Sequence, residues 1–353
     1  MRILYLAAEV MGYTMATIRA LVERGAEMHV VHWDHKKLTP YQAPPSPNVH
    51  MYERSRMSVH DIRRLVKELQ PAVTVVAGWM DKGYLSVARE LRRQGGIVVT
   101  GFDDQWLGTL RQNVAAILAH FGYFSRYFSH AWVSGSYQFE YARRLGFEKK
   151  CIIYDLYSAD LGVWQEAHRR NVPRKQDHYP HRFLFVGRFE PIKGLDILLK
   201  GWQALSGRKR DWELHLIGNG SLKAELQAAP GVVTKDFMLP ERLAEEVGDA
   251  GCFVLPSRGE PWGVVVHEFA AAGMPLIVSD VVGAASSFLI SGLNGYSFAV
   301  NDPESLARQM QKIIDASDQQ LMAMAQASAQ LSSRISPQTS AAQLLSIANP
   351  ERK

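Results

Sequence analysis

Glu260 and Glu268 stand with seven residues between them in the segment Ser257–Pro275 (SRGEPWGVVVHEFAAAGMP), just after the apolar run Cys252–Pro256. That run reads as a buried strand, Pro261 and Gly263 shape a helix entry, and Gly273 with Pro275 marks its exit. The amides near Trp262–Val264 are then free at a helix N-terminus and suit phosphate or sugar oxygens. Ionised carboxylates accept hydrogen bonds from sugar hydroxyls. Paired carboxylates also serve acid–base glycoside hydrolysis, but nearby cations favour a phosphorylated ligand. Those cations lie in Val186–Gly194 (VGRFEPIKG), where Arg188 and Lys193 flank the turn between a strand ending at Gly187 and a helix beginning after Gly194. A planar guanidinium and a mobile ammonium beside a helix N-terminus suit a diphosphate, although two surface cations on an ordinary loop have the same pattern. A further turn, Leu216–Ser221 (LIGNGS), brings Gly218 and Gly220 where backbone can approach a ligand, although a plain tight turn has the same composition. Glu268 equally fits a helix-face carboxylate with a structural partner, and His267 reads as packing or a structural hydrogen bond.

Elements that position these groups alternate along the whole chain. Strands are read at Arg2–Ala7, Met28–Trp33, Val73–Ala77 and Ile97–Thr100, and helices at Met15–Arg24, Val59–Leu69 and Leu85–Arg93. A second series begins with the strand Phe183–Val186 and the helix Leu195–Leu205 and runs through Pro303–Ile314. Short β-branched runs alternating with helices imply parallel strands and crossover helices. The fold class expected is α/β, with two Rossmann-like doubly wound domains facing an interdomain cleft. Between them, Arg169–Arg182 is polar, carries two prolines and lacks apolar periodicity, so it reads as a linker. The expected organisation is an acceptor-binding domain over 1–168, a linker over 169–182, a nucleotide-sugar domain over 183–335, and a tail over 336–353 that packs back on the first domain.

Composition narrows the function. Of 353 residues, 47% are hydrophobic and 21% charged, which excludes disorder and fibrous architectures. The formal charge of +5 lies wholly before residue 165, where 20 Lys/Arg face 15 Asp/Glu against 20 of each after it. An anionic partner for the first half follows, or a solvated surface with a modest imbalance. Cys151 and Cys252 are far apart, giving neither a disulfide framework nor zinc spacing. No signal peptide or membrane span is read, so the expected location is cytoplasmic, at or near the inner face of the membrane.

In this order and on these elements, the motifs resemble retaining glycosyltransferases of the GT-B fold, in particular family four. The resemblance rests on Val186–Arg188 with Lys193-Gly194 and on the Glu260/Glu268 spacing with Gly273-x-Pro275 after it, and is strong from about Phe183 to Ser317. It implies that Arg188 and Lys193 hold the donor diphosphate, with Gly187 and Gly218 on the donor side. It implies that Glu260 and the backbone of Trp262, Gly263 and Val264 contact the donor sugar, and that Glu268 accepts hydrogen bonds from the ribose. Lys235–Met238, with Phe237 and Met238, matches the place that frames the nucleobase, and Gly12-Tyr13 would meet the acceptor. Two departures stand out. Many members carry Thr-x-His-Asp in the first domain, whereas this chain has Thr100-Gly101-Phe102-Asp103-Asp104, with Asp103 the best positional match. Either aspartate could orient a hydroxyl, or simply cap the next helix. A family Gly-Gly-x-Pro-Glu turn is replaced by Gly283–Ser287 (GAASS).

The expected reaction moves a sugar from a UDP- or GDP-linked donor to a hydroxyl of a glycan or lipid-linked acceptor, with no cofactor and no nucleic-acid partner. Without a convincing Asp-x-Asp loop, fixed cations and amides take the place of a metal. The resemblance implies retention at the anomeric carbon. Ser55–Lys67, rich in cations, and Phe121–Trp132, rich in rings, suggest contact with an anionic membrane or lipid-linked acceptor, the second equally fitting core packing. Competing readings are a non-catalytic nucleotide-sugar-binding homologue or partner-binding regulatory subunit, supported by the missing histidine, and an epimerase or phosphorylase on the same architecture. The first turn, Ala7–Thr14, lacks the glycine fingerprint of a dehydrogenase.

Overall fold

Strand–helix alternation produces two parallel sheets in the computed structural model, which describes residues 1–35, 44–209 and 211–348. The chain divides into one unit of Met1–Ala159 with Ile335–Lys353 and a second of Asp160–Arg334. Strands of the first are β1 (Arg2–Ala7), β2 (Glu27–His32), β3 (Val49–Glu53), β4 (Val73–Ala77), β5 (Val98–Phe102), β6 (His130–Val133) and β7 (Ile152–Ile153). They pair in the order β3-β2-β1-β4-β5-β6-β7, all parallel. The second sheet holds β8 (Arg182–Val186), β9 (Glu213–Ile217), β10 (Val232–Lys235), β11 (Cys252–Leu255), β12 (Leu276–Ser279) and β13 (Gly295–Phe298). Its order is β10-β9-β8-β11-β12-β13, again all parallel.

Strands covered on both faces read as unbroken apolar runs. β5 and β11 are accordingly buried at every position. In each sheet the strand order reverses once, between β1 and β4 and between β8 and β11. Loops leaving the carboxyl ends of such a pair part in opposite directions, and the crevice they leave is where doubly wound folds bind ligands. The motif-bearing turns of the second unit, after β8 and β11, sit at that reversal.

Several boundaries differ from the sequence reading. The stretch 169–182, expected as a linker, is largely the helix Leu161–Asp177, which tolerates Pro173 in its interior. Tertiary contacts override its polar composition. Lys175 is buried and donates to Ala250 O at 2.7 Å, Arg174 pairs with Asp249 at 2.6 Å, and the buried Tyr179 donates to Gly251 O at 2.7 Å. The units therefore meet at Ala159/Asp160, earlier than the expected 168. Near the C-terminus, helix Pro337–Ala348 lies on helix Gly12–Glu23, with Ala341 and Leu344 in the first unit's core and Thr17 Oγ1 donating to Ser340 Oγ at 3.4 Å. Residues 349–353 of the expected tail lie outside the described residues. Helix Leu110–His120, which periodicity did not reveal, starts from a capping box of Thr109 and Gln112.

Gly194 joins the turn after β8 to helix Leu195–Ala204 in the left-handed region, φ +66°. A Cβ there would fall 2.1 Å from Pro256 O, a backbone atom that cannot give way. Gly194→Ala should therefore lower unfolding stability by at least about 2 kcal/mol, read from denaturant midpoints.

Candidate functional site

Three loops of the second unit are laced together at the strand reversal. Phe189 N donates to Asn219 O at 2.8 Å and Leu222 N to Phe189 O at 2.9 Å, tying the turn after β8 to the turn after β9. Glu190 strengthens this join by accepting from Ser221 N at 3.1 Å and from Ser221 Oγ at 2.7 Å, which holds its carboxyl below the usual range. The approach is close enough that a Cβ on Gly218 would meet Gly187 O at 1.9 Å. Gly218 N in turn donates to Lys235 O at 3.0 Å, reaching β10. Beyond β10, Phe237 is exposed and Met238 half-buried.

The third loop follows β11. Lys193 Nζ donates to Glu260 Oε2, and both side chains are largely buried. Ser257 Oγ also donates to Glu260 Oε2, at 3.2 Å, while Ser257 O accepts from Ser279 Oγ at 2.6 Å. Sequence reasoning places Lys193 on the diphosphate and Glu260 on the sugar, as separate groups; the structure pairs them. An ammonium has three N–H donors, so the pairing leaves Lys193 able to bind an anion as well. Arg188 is exposed and forms no ion pair with a described residue, although the nearby Glu190 carboxylate feels its charge.

Gly263, φ +92°, opens helix Val264–Ala271, and a Cβ on it would press Glu260 Cγ at 2.9 Å. The first-turn amides thus start beside the Glu260 side chain, and Gly263 and Val264 are half-buried. Trp262 differs from its neighbours. Its ring is buried edge-on to Phe288 at 6.2 Å and its carbonyl accepts from Ala284 N at 2.8 Å, so its side chain supports the turn. The Gly283–Ser287 stretch braces the same loop, since Gly283 N donates to Glu260 O at 3.1 Å. His267 is structural, stacked on Phe288 at 4.0 Å and bonded to Ser332 O at 2.9 Å. Glu268, on the same helix, is half-buried, and burial together with the Asp160 carboxylate pushes its carboxyl up to about 7.

Residues 180–316 match the model of the family described as Glycosyl transferases group 1. This segment is a glycosyl transferases group 1 domain. It is 30% identical over 149 residues to a D-inositol 3-phosphate glycosyltransferase of Streptomyces griseus subsp. griseus, covering 38% of this chain and 31% of that protein. It is 31% identical over 169 residues to a glycogen synthase of Mycobacterium tuberculosis, covering 44% and 38%. The chain spans about a third of the length of such curated relatives. Among solved structures, a glycosyltransferase from Rickettsia africae superposes with a TM-score of 0.73 at 12% identity, over 98% of this chain and 97% of that one. Anabaena HepE in complex with UDP and glucose gives 0.69 at 14%, over 98% and 99%. The two parallel-sheet units have the GT-B fold.

The first unit gathers a second group of residues at the carboxyl ends of its strands. Gly12 and Tyr13 begin the helix after β1, and Tyr13 meets Tyr157 edge-on at 5.0 Å. Burial, with the Asp103 carboxylate and neighbouring tyrosines, drives the Tyr157 phenol well above its ordinary value. The phenol therefore stays protonated and able to donate. Asp103 is half-buried, with its carbonyl held by Gln138 Nε2 at 2.9 Å, and Asp104 is exposed. Neither caps the following helix, because Thr109 does. Tyr157 escaped sequence reasoning because it follows a strand of two residues.

Arg258 escaped it too, although it holds the turn after β8 in place. Its guanidinium forks onto Asp196 at 2.7 and 2.6 Å, and reaches Pro191 O at 2.8 Å and Asn301 Oδ1 at 2.8 Å. A lysine cannot reproduce that planar fork. Should this turn receive a nucleoside diphosphate, Arg258→Ala and Arg258→Lys would both weaken its binding by roughly tenfold, measured by calorimetry, because Lys193 loses its fixed position. Unchanged affinity in Arg258→Lys would show that the fork does not position the turn.

Proposed function

We propose that the chain is a retaining, metal-independent glycosyltransferase that moves a sugar from a nucleoside-diphosphate donor to a hydroxyl of a glycan or lipid-linked acceptor. The carrying observation is the exposed Arg188, without an ion-pair partner among the described residues, on the turn that Lys193 ties through Glu260 to the loop leading into Gly263. Breaking the anomeric bond gathers negative charge on the departing diphosphate. Cations and amides fixed beforehand stabilise that charge with little reorganisation. In this reading Arg188, Lys193 and the amides of Gly263 and Val264 receive the diphosphate, Glu260 orients both Lys193 and the sugar, and Glu268 accepts the ribose hydroxyls. Retention follows if the acceptor attacks from the face the diphosphate leaves and passes its proton to a donor phosphate oxygen. Asp103, Gly12 and Tyr13 would serve the acceptor, with the Tyr157 phenol as a further hydrogen-bond donor. Anabaena HepE was crystallised with UDP-glucose, which supports a uridine donor here.

The ribose contact has a pH signature. Free Glu268 holds its proton up to about 7, and a diol donating to the carboxylate favours the ionised form, so donor binding should release a proton. UDP affinity should rise about tenfold from pH 6 to pH 8 beyond the change seen in Glu268→Gln, and Arg188→Ala should weaken it roughly tenfold or more. Calorimetry in buffers of different ionisation enthalpy reads both. Affinity unchanged in Arg188→Ala would remove the diphosphate assignment, and tight binding with neither donor hydrolysis nor transfer would leave the non-catalytic reading.

A lipid-linked acceptor is supported by the first unit's surface, though not where sequence pattern placed it. Three cations of the basic stretch 55–67 are paired, Arg56 with Glu53 at 2.7 Å and Arg63 with Glu90 and Arg64 with Asp61 at 2.8 Å each. In the aromatic stretch, Phe124, Phe128 and Trp132 are core residues, leaving Phe121 and Tyr123 exposed. Helix Leu110–His120 instead exposes Leu110, Val114, Ile117 and Leu118, with Phe121 just beyond, at the spacing of one face. Such a face with Arg111 and Arg126 nearby in sequence suits an anionic bilayer surface. Among the described residues no helix is long and apolar enough to cross a membrane. Sedimentation with anionic vesicles at low salt should bring the protein down, and the double variant Ile117→Asp/Phe121→Asp should reduce binding at least tenfold, about 1.4 kcal/mol. No sedimentation of the unaltered protein would contradict this surface.

A further inference from the structure

Far from the strand ends that carry the motifs, the amino ends of β2 and β3 hold a cluster the glycosyltransferase reading does not use. Glu27 and His29 are two apart on β2, hence on one face, and His50 is the register partner of His29 on the edge strand β3. Glu27 Oε1 lies 3.3 Å from His29 Nε2 and 3.3 Å from His50 Nε2, and all three ligand atoms lie within 4.8 Å of one another. Zinc bonds of about 2.0–2.1 Å at a tetrahedral angle place ligand atoms roughly 3.3–3.4 Å apart. Both measured separations match.

An independent observation points the same way. The His29 side chain is only 6% exposed, and its buried Nε2 faces the Glu27 carboxylate at 3.3 Å without hydrogen-bond geometry. Its other nitrogen, Nδ1, is held by the Tyr52 phenol at 3.0 Å. In the tautomer that donates Nδ1–H to that oxygen, the one a bound ion selects, Nε2 turns its lone pair towards Glu27 and His50, which is how a polar neighbour orients a metal-binding imidazole. We propose that Glu27, His29 and His50 form a binding site for a divalent transition-metal ion of the zinc class, clamping edge strand β3 to β2 and leaving a fourth position for water.

Arg2 Nε sits 3.4 Å from Glu27 Oε2, the other carboxylate oxygen, and leaves Oε1 for the ion while opposing its charge. The His29 and His50 rings are stacked at 4.5 Å, 17° apart. A metal must lie near the plane of each ring, so binding turns His50, whose side chain is half exposed.

The test uses the full chain, free of any affinity tag and stripped with a chelator. Zn2+ titration by calorimetry should give one ion per chain, and Co2+ should give the strong visible bands of a four-coordinate site. His50→Ala and Glu27→Gln, at partly exposed positions, should each weaken Zn2+ at least tenfold while His181→Ala does not. Zn2+ should also raise the thermal midpoint of the unaltered chain and leave that of His50→Ala unmoved. Absence of stoichiometric Zn2+ binding would overturn the proposal, as would affinity unchanged in both His50→Ala and Glu27→Gln. The midpoint without metal shows whether each variant is folded. Donor binding plays no part in these readouts, so failure here leaves the proposed function standing.

Discussion

The ion pair between Lys193 and Glu260 joins the turn after β8 to the turn after β11, the two strands between which the order of the second sheet reverses. Neither charge is well placed alone: with both side chains largely out of water, removing one would leave the other uncompensated. Their pairing fixes an ammonium beside the opening of helix Val264–Ala271, and Arg258 secures the turn that carries it. Arg188 stands on the same turn after β8, exposed and without an ion-pair partner among the described residues. A site that keeps one cation neutralised and buried and another free in water is suited to a multiply charged anion that arrives and departs.

Glu268 shows the same economy of burial. Its carboxyl is raised because burial disfavours the charge and Asp160 lies nearby. A group that is costly to ionise in the free protein has most to gain from hydroxyl donors brought by a ligand. Trp262 and His267 serve this arrangement from below: one ring braces the helix entry against Phe288, and the other stacks on the same phenylalanine while bonding Ser332 O.

Much of the fold was legible in the sequence because parallel strands buried on both faces leave an unmistakable apolar run, as in Cys252–Leu255, and because Gly194, Gly218 and Gly263 mark turns that need a missing side chain. The turns that carry the proposed donor-side residues were legible for the same reason, since they sit immediately after those strands. What stayed hidden depended on contacts between distant segments. Leu161–Asp177 looked like a linker because Pro173 and its charges outweigh its periodicity, and only the partners at Asp249 and Ala250 make it a packed helix. Helix Leu110–His120 carries its apolar residues outward, the reverse of the pattern a core-facing helix shows. The Glu27–His29–His50 cluster needs the register of β2 against β3, which no local spacing reveals.

The most direct test of the central claim is the position of the diphosphate in crystals grown with a nucleoside-diphosphate sugar. Its oxygens should lie within about 3 Å of the Arg188 guanidinium, Lys193 Nζ and the first amides of the helix opened by Gly263. A diphosphate bound elsewhere, with Arg188 in bulk solvent and Lys193 still held by Glu260 alone, would contradict it.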